Sequence, residues 1–201
     1  MKRIGVLAVQ GAVSEHLAML GRAHLPGMPV RTARDLSAVR GLIIPGGEST
    51  VISRLIGENG LFDAIRDFAA EGYVMGTCAG LILCASEVRG SGGAIPGGKD
   101  DGAEGRVTPL GLMDMSVSRN GFGRQVDSFE TELAARGIDG KVPAVFIRAP
   151  YIERVGGNVS VRAEVEGKIV MAENERVLVT SFHPELTPDT RVVRYFYEKI
   201  S

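Results

Sequence analysis

Short apolar runs alternate with stretches of helical spacing through the first half of the chain. Residues 3–9 read as a buried strand. Gln10-Gly11 turns the chain, and Ala12 to Arg22 follows at helical spacing, with Val13, Leu17 and Leu20 on one face. Pro26, Gly27 and Pro29 break that pattern, and Val30 to Thr32 is a weak second strand. Gly41 to Pro45 is a third, stopped by Gly46-Gly47. Ser49 or Thr50 is the expected cap of a helix through Ile56. Leu61 to Ala70 reads as another helix, with Phe62, Ile65, Phe68 and Ala69 inward. A strand then leads into Cys78, and an apolar, helix-compatible run follows. The order β-α-β-β-α-α-β-α predicts an α/β fold, an open, mostly parallel sheet with helices on both faces. Reactive groups in such sheets gather at the carboxyl ends of the strands.

The second half turns toward strands. Met113 to Ser118 and Ala144 to Ala149 read as strands, with a helix around Ser128 to Arg136 between them. Val159 to Val165, Lys168 to Ala172 and Val177 to Phe182 follow at short intervals and add antiparallel strands, the last two joined by a hairpin at Glu173 to Arg176. A helix from Thr190 to about Lys199 turns Val192, Val193, Phe196 and Ile200 inward, and Pro188-Asp189 starts it. Ser86 to Gly111 is glycine-rich and reads as a surface loop. Within it Gly93 to Lys99 approaches a phosphate-loop pattern but fails. Asp100 stands where a Ser or Thr hydroxyl is needed, no strand leads in, and no apolar helix follows.

Composition narrows the picture. With 201 residues, of which 44% are hydrophobic, residues 1–201 read as one domain with a packed core. A net charge of −1 gives no electrostatic reason to expect nucleic acid or an anionic membrane as partner. Two cysteines argue against a disulfide framework and fit a reducing cytoplasm. The basic start precedes an apolar run too short for a signal peptide, and no run approaches membrane-spanning length. Two cysteines and three histidines show no metal-ligand spacing, so neither a metal nor a cofactor is expected.

The candidate chemistry begins at Gly76-Thr77-Cys78-Ala79-Gly80, which has the strand–turn–helix pattern of a nucleophile elbow. Gly76 and Gly80 flank Cys78 where a side chain would crowd the strand–helix crossing. A thiol there stands at a helix amino end, where the dipole and free N–H groups favour the thiolate, and the Ala79 N–H is placed to donate to an oxyanion. A thiol needs a base. His16 lies in the first helix and His24 in a Pro/Gly-flanked connection, whereas His183-Pro184-Glu185 follows a strand. In an extended segment Glu185 can reach the far nitrogen of His183, making Cys78, His183 and Glu185 a candidate triad. Pro45-Gly46-Gly47-Glu48-Ser49 ends a strand in two glycines and offers Gly47 as a second oxyanion donor. Taken singly, each has an ordinary reading: a buried cysteine, a strand-end histidine, a solvated carboxylate, a capped turn. Cys84 reads as a core residue.

Together, Gly76 to Gly80, His183-Pro184-Glu185 and Pro45 to Thr50 resemble the class I (triad) glutamine amidotransferases. More narrowly, the chain is similar to the glutaminase subunits of pyridoxal 5′-phosphate synthase. That likeness rests on Gly5 to Val13 with Glu15-His16, on Arg119 to Glu130, on Val145 to Pro150 and on Ser181 to Thr187. The stretch from about Gly90 to Thr108 is longer and richer in glycine than the family leads one to expect. The resemblance implies a flavodoxin-like sheet and hydrolysis of L-glutamine to glutamate and ammonia. It implies transfer of ammonia, within a hetero-oligomer, to a (β/α)8-barrel synthase subunit that makes pyridoxal 5′-phosphate. It puts substrate contacts at Gly47, Glu48, Ser49, Arg119, Ile147 and Arg148. The residue types agree in kind, because free glutamine is a zwitterion that wants an arginine for its carboxylate and a carboxylate for its ammonium. It also implies a free subunit of low activity, with Gln10 and His16 in stretches that could face the partner. The rival readings are a cysteine peptidase-like hydrolase and a non-catalytic binding module on the same fold.

Overall fold

The computed structural model describes residues 2–89, 106–119 and 128–200. Most of the glycine-rich stretch and much of the segment that follows Arg119 lie outside the described residues. The first half runs β1 (Ile4–Leu7), α1 (Val13–Arg22), β2 (Gly27–Val30), α2 (Ala33–Leu36), β3 (Gly41–Ile44), α3 (Ser49–Glu58), α4 (Leu61–Glu71), β4 (Tyr73–Thr77) and α5 (Ala79–Cys84). The second half runs β5 (Ala85–Arg89), β6 (Met113–Ser118), β7 (Ser128–Ala134), β8 (Lys141–Ile147), β9 (Tyr151–Val155), β10 (Ser160–Val165), β11 (Lys168–Glu173), β12 (Val177–Thr180), a 3-10 turn (Pro184–Leu186) and α6 (Arg191–Lys199).

One large sheet takes the order β2-β1-β3-β4-β12-β11-β9-β6-β5, with β10 paired to β11. From β2 to β12 the neighbours are parallel. Beyond β12 the pairings to β11, β9 and β6 are antiparallel. The strand pleat sorts the core, since successive side chains point to opposite faces. Ile43, Met75 and Leu178 pack with Met19 and Leu20 of α1 and Val193 and Phe196 of α6. Leu42, Ile44, Val74, Val177 and Val179 pack on the other face, with Ile52 and Ile56 of α3 and Leu61 and Ile65 of α4. Strands with both faces buried read as continuous apolar runs, which is why β1, β3 and β4 are legible in the sequence.

Several expectations are corrected. β2 begins at Gly27, earlier than Val30, and Pro29 sits inside it; β2 is the edge strand, where a missing N–H costs no ladder bond on its open side. The strands β5 and β9 and the short α2, closed by a Thr32–Asp35 capping box, join the elements predicted. The cap of α3 is the Glu48 carboxylate, which accepts from the N–H groups of Thr50 and Val51, in place of Ser49 or Thr50. The helix expected around Ser128 to Arg136 is the strand β7, in register with β8 along its length. Phe129 and Leu133 fit either period, but Phe129 stacks on Phe146 of β8 at 4.5 Å, and that pairing decides in favour of the strand.

Candidate active site

Four consecutive parallel strands, β1, β3, β4 and β12, deliver their carboxyl ends side by side. The chain leaves β1 into Gln10, β3 into Gly46-Gly47-Glu48, β4 into Cys78 and β12 into Phe182-His183. Residues distant in sequence therefore meet by sheet order, as the general rule for open parallel sheets requires. The register fixes their heights, with Ile44 opposite Gly76 and Thr180 opposite Thr77.

Cys78 has φ 50 and ψ −102, a backbone conformation that costs an L residue on the order of 1–3 kcal/mol. Its surroundings hold it there. The Cys78 N–H donates to the Thr180 carbonyl at 2.8 Å. A Cβ on Gly80 would stand 2.0 Å from the Ile44 carbonyl oxygen, and one on Gly76 would stand 2.5 Å from that of Gly80, so the crossing admits hydrogen alone at both places. Ala79 opens α5, and its N–H has no partner within the helix.

His183 lines the same cavity as Cys78 and hydrogen-bonds to it. Its backbone N–H is held by the Val145 carbonyl of β8 at 2.9 Å, and Nδ1 is 2.7 Å from Glu185 Oε1. Pro184 to Leu186 forms a 3-10 turn in place of the extended segment expected, and Glu185 reaches the ring from that turn. Burial disfavours the imidazolium, but hydrogen bonds to Cys78 and to Glu185 and their charges outweigh it and push His183 up to about 10. For Glu185, which is 3% exposed, burial pulls upward; the hydrogen bond to His183 and the nearby charge prevail and hold the carboxyl below its usual range. Gly46 closes the back of the ring, since a Cβ there would stand 2.4 Å from His183 Cε1.

A cavity of about 470 Å³ opens over these groups, within the size range of small-molecule sites. Cys78, Ala79 and His183 line it, as do all six residues predicted as substrate contacts, Gly47, Glu48, Ser49, Arg119, Ile147 and Arg148. Glu48 and Arg119 face one another at 3.6 Å. Burial pulls the Glu48 carboxyl upward, but its bonds to Thr50 and Val51 and the Arg119 charge outweigh that and hold it lower than usual. The Ile147 carbonyl approaches the Cys78 sulfur at 3.9 Å, and Arg148 turns the β8 end with φ 41. Ile82 and Pro150 also line the cavity, and no local signal in the sequence marks them for it. Gln10 lines the cavity as well. It accepts from the Glu48 N–H at 3.1 Å and so braces the Gly47 loop. His16 does not face outward; it is fully buried behind the site. Among the described residues no cluster of His, Cys, Asp or Glu could hold a metal, and no helix is long and apolar enough to cross a membrane.

Known proteins resemble this chain along its full length. A pyridoxal 5′-phosphate synthase subunit PdxT from Niallia circulans is 48% identical, over 98% of this chain and 97% of its own length. The subunit of that name from Listeria monocytogenes serotype 4a is 45% identical over the whole of both chains. A solved structure described as a glutamine amidotransferase superimposes with a TM-score of 0.86 at 41% identity, covering 98% of each chain. The SNO glutamine amidotransferase family matches residues 6–201. With so little of the sequence left outside that match, the chain belongs to the SNO glutamine amidotransferase family.

Proposed function

We propose that this chain hydrolyses L-glutamine to glutamate and ammonia at Cys78 and passes the ammonia to a synthase subunit, a (β/α)8 barrel, that builds pyridoxal 5′-phosphate. The observation that carries the reading is the convergence of Cys78, His183–Glu185 and the Gly46-Gly47 turn on one cavity from adjacent strand ends. The relatives' name, a subunit of pyridoxal 5′-phosphate synthase, supplies the destination of the nitrogen. Two unpaired thiols suit a cytoplasmic setting.

Cys78, as thiolate beside the His183 imidazolium, attacks the side-chain amide carbon. The Gly47 and Ala79 N–H groups hold the oxyanion. The C–N bond breaks as His183 gives its proton to the leaving nitrogen, leaving a thioester on sulfur. His183, now neutral, takes a proton from water; the water oxygen bonds to the thioester carbon, the C–S bond breaks, and glutamate leaves. Glu185 keeps Nδ1 protonated throughout and balances the imidazolium. Arg119 and Arg148 receive the substrate carboxylate. The Glu48 carboxylate is already committed to the α3 cap, so it serves the ammonium and holds Arg119 in place at the same time. Glutaminase assay of the purified chain, alone and with a co-expressed synthase subunit, tests the reading. Ammonia release that needs the partner and disappears in Cys78→Ala is expected; no release with the partner present overturns it.

A further inference from the structure

His16 sits behind the site, fully buried on α1, and the reaction above leaves it without a task. Its Nε2 lies 3.1 Å from Thr77 Oγ1 and 3.5 Å from Glu185 Oε2, the carboxylate oxygen that His183 does not take. Glu185 Oε2 has no hydrogen-bond partner among the described residues, and neither has His16 Nδ1. Thr77 Oγ1 in turn accepts the Gly46 N–H at 3.0 Å. A buried chain of contacts therefore runs from His183 through Glu185, His16 and Thr77 to the Pro45–Gly46 peptide, one residue before Gly47.

The chemistry selects one tautomer. A proton on Nε2 faces a hydroxyl oxygen and a carboxylate oxygen, both able to accept it. A proton on Nδ1 would turn the Nε2 lone pair toward the carboxylate and leave a buried donor without a partner. Burial acts most strongly on His16 and keeps the ring neutral; Glu185 of the turn after β12 and Glu15 beside it on α1 pull the other way, and the charge of His183 in the same turn adds to burial. The same helix grips the turn again at its end, where Arg22 donates to the carbonyls of Glu185 at 3.4 Å and Thr187 at 2.9 Å.

We propose that His16 is a positioning residue, a neutral Nε2–H donor shared by Thr77 and Glu185 that ties the carboxylate end of the site to the loop carrying Gly47. This rests on the glutaminase reading. Without that N–H, Glu185 Oε2 loses the donor group that stands 3.5 Å from it, the carboxylate loses its fixed orientation toward His183, and it takes up a proton at higher pH.

The test compares wild type, His16→Leu, His16→Gln and Thr77→Val as assembled complexes with the synthase subunit. Glutamine is the substrate, and circular dichroism and complex formation confirm folding. In His16→Leu kcat is expected to fall roughly 10- to 100-fold, the worth of one hydrogen bond to a charged group, with KM little changed. The acid limb of its kcat profile moves to higher pH. Gln carries an amide N–H near the Nε2 position, so His16→Gln recovers most of the rate and the limb, and Thr77→Val falls between. Nitrogen-15 NMR of the wild-type imidazoles is expected to find His16 neutral with its proton on Nε2. An Nδ1–H tautomer, or a folded His16→Leu with wild-type kcat and pH profile, overturns the inference. Should His16→Leu not fold, a His16→Gln that loses as much rate as Cys78→Ala overturns it as well. A wild-type complex that releases no ammonia defeats the glutaminase reading instead, and the tautomer then still decides whether His16 is the donor described.

Discussion

Cys78 and Cys84 stand at the two ends of α5, and the structure gives them different surroundings. Before the helix, Cys78 is held at a positive φ, faces a cavity and touches an imidazole. At its last residue, Cys84 is wholly buried among apolar side chains, and burial alone pushes its thiol up to about 12. The segment after residue 109 seals that end, with the Leu110 and Leu112 N–H groups bound to the carbonyls of Leu83 and Cys84. A thiol that stays protonated is a poor nucleophile. The contrast teaches that the residue type supplies only the atom; the elbow and its neighbouring strand supply the reactivity.

Paired substitutions should break or sharpen that contrast. The largest difference is expected in turnover. Cys78→Ala removes the atom that forms the thioester and should lower glutamine hydrolysis in the assembled complex by at least about 1000-fold, while fold and complex formation persist. Cys84→Ala should keep its rate within about threefold per folded molecule, since the side chain meets no reacting group. Ammonia release measured for both variants decides it, and equal losses would erase the distinction.

The elbow should also be the more fragile end. Gly80→Ala puts a methyl 2.0 Å from the Ile44 carbonyl oxygen, and because that atom is backbone the strand or the helix has to move. A loss of about 3 kcal/mol or more is expected by urea denaturation. Gly57, within α3, has open space where a Cβ would stand, with nothing within 4 Å of it. Gly57→Ala should therefore stabilise by about 0.5–1 kcal/mol through helix propensity. If both variants cost the same, the crowding at the elbow is not what holds Cys78.

How much of this is readable in advance follows from what each signal depends on. The elbow is legible because it is local: small residues, a thiol and an apolar run stand together between Gly76 and Leu83. The partnership of Cys78 with His183 depends on one inference about sheet topology, and β12 beside β4 supplies it. Features set by contacts between distant segments are not legible. Glu48 differs: it caps α3 through N–H groups only two and three residues on, but Ser49 and Thr50 beside it are the commoner capping types, so its carboxylate reads as a substrate group. His16 reads only as a residue of the first helix, because its burial depends on Thr77 and Glu185, remote in sequence. The segment 128–134 has a composition that suits a helix as well as a strand, and only pairing with β8 separates the two.

The electrostatic side of the contrast can be read on His183. Its imidazole is held protonated toward about pH 10 by Cys78 and Glu185 against the cost of burial. Raising the pH from about 6.5 should therefore leave the wild-type ring charged well past the point where an ordinary histidine loses its proton. Cys78→Ala deletes the hydrogen bond and the charge on one side, so deprotonation should move down by about one pH unit or more. Cys84→Ala should leave it in place. Ring carbon shifts followed by NMR across that range measure the difference; an unchanged titration in Cys78→Ala would mean that Glu185 alone supports the charge.

At the far end of the helix the effect is on packing and not on chemistry. Cys84 is fully buried and packs as an apolar side chain, so Cys84→Ala removes one sulfur from a close-packed cluster. The lost contacts and the small void should cost about 1–2 kcal/mol. Cys84→Ser is nearer in size yet should cost more, about 1–3 kcal/mol, because a hydroxyl enters a place built from apolar side chains. Urea midpoints should therefore rank wild type above Ala and Ala above Ser. The reverse ranking would show that the site offers a hydroxyl a partner, and Cys84 would then have to be counted among polar positions and not as the floor on which the elbow rests.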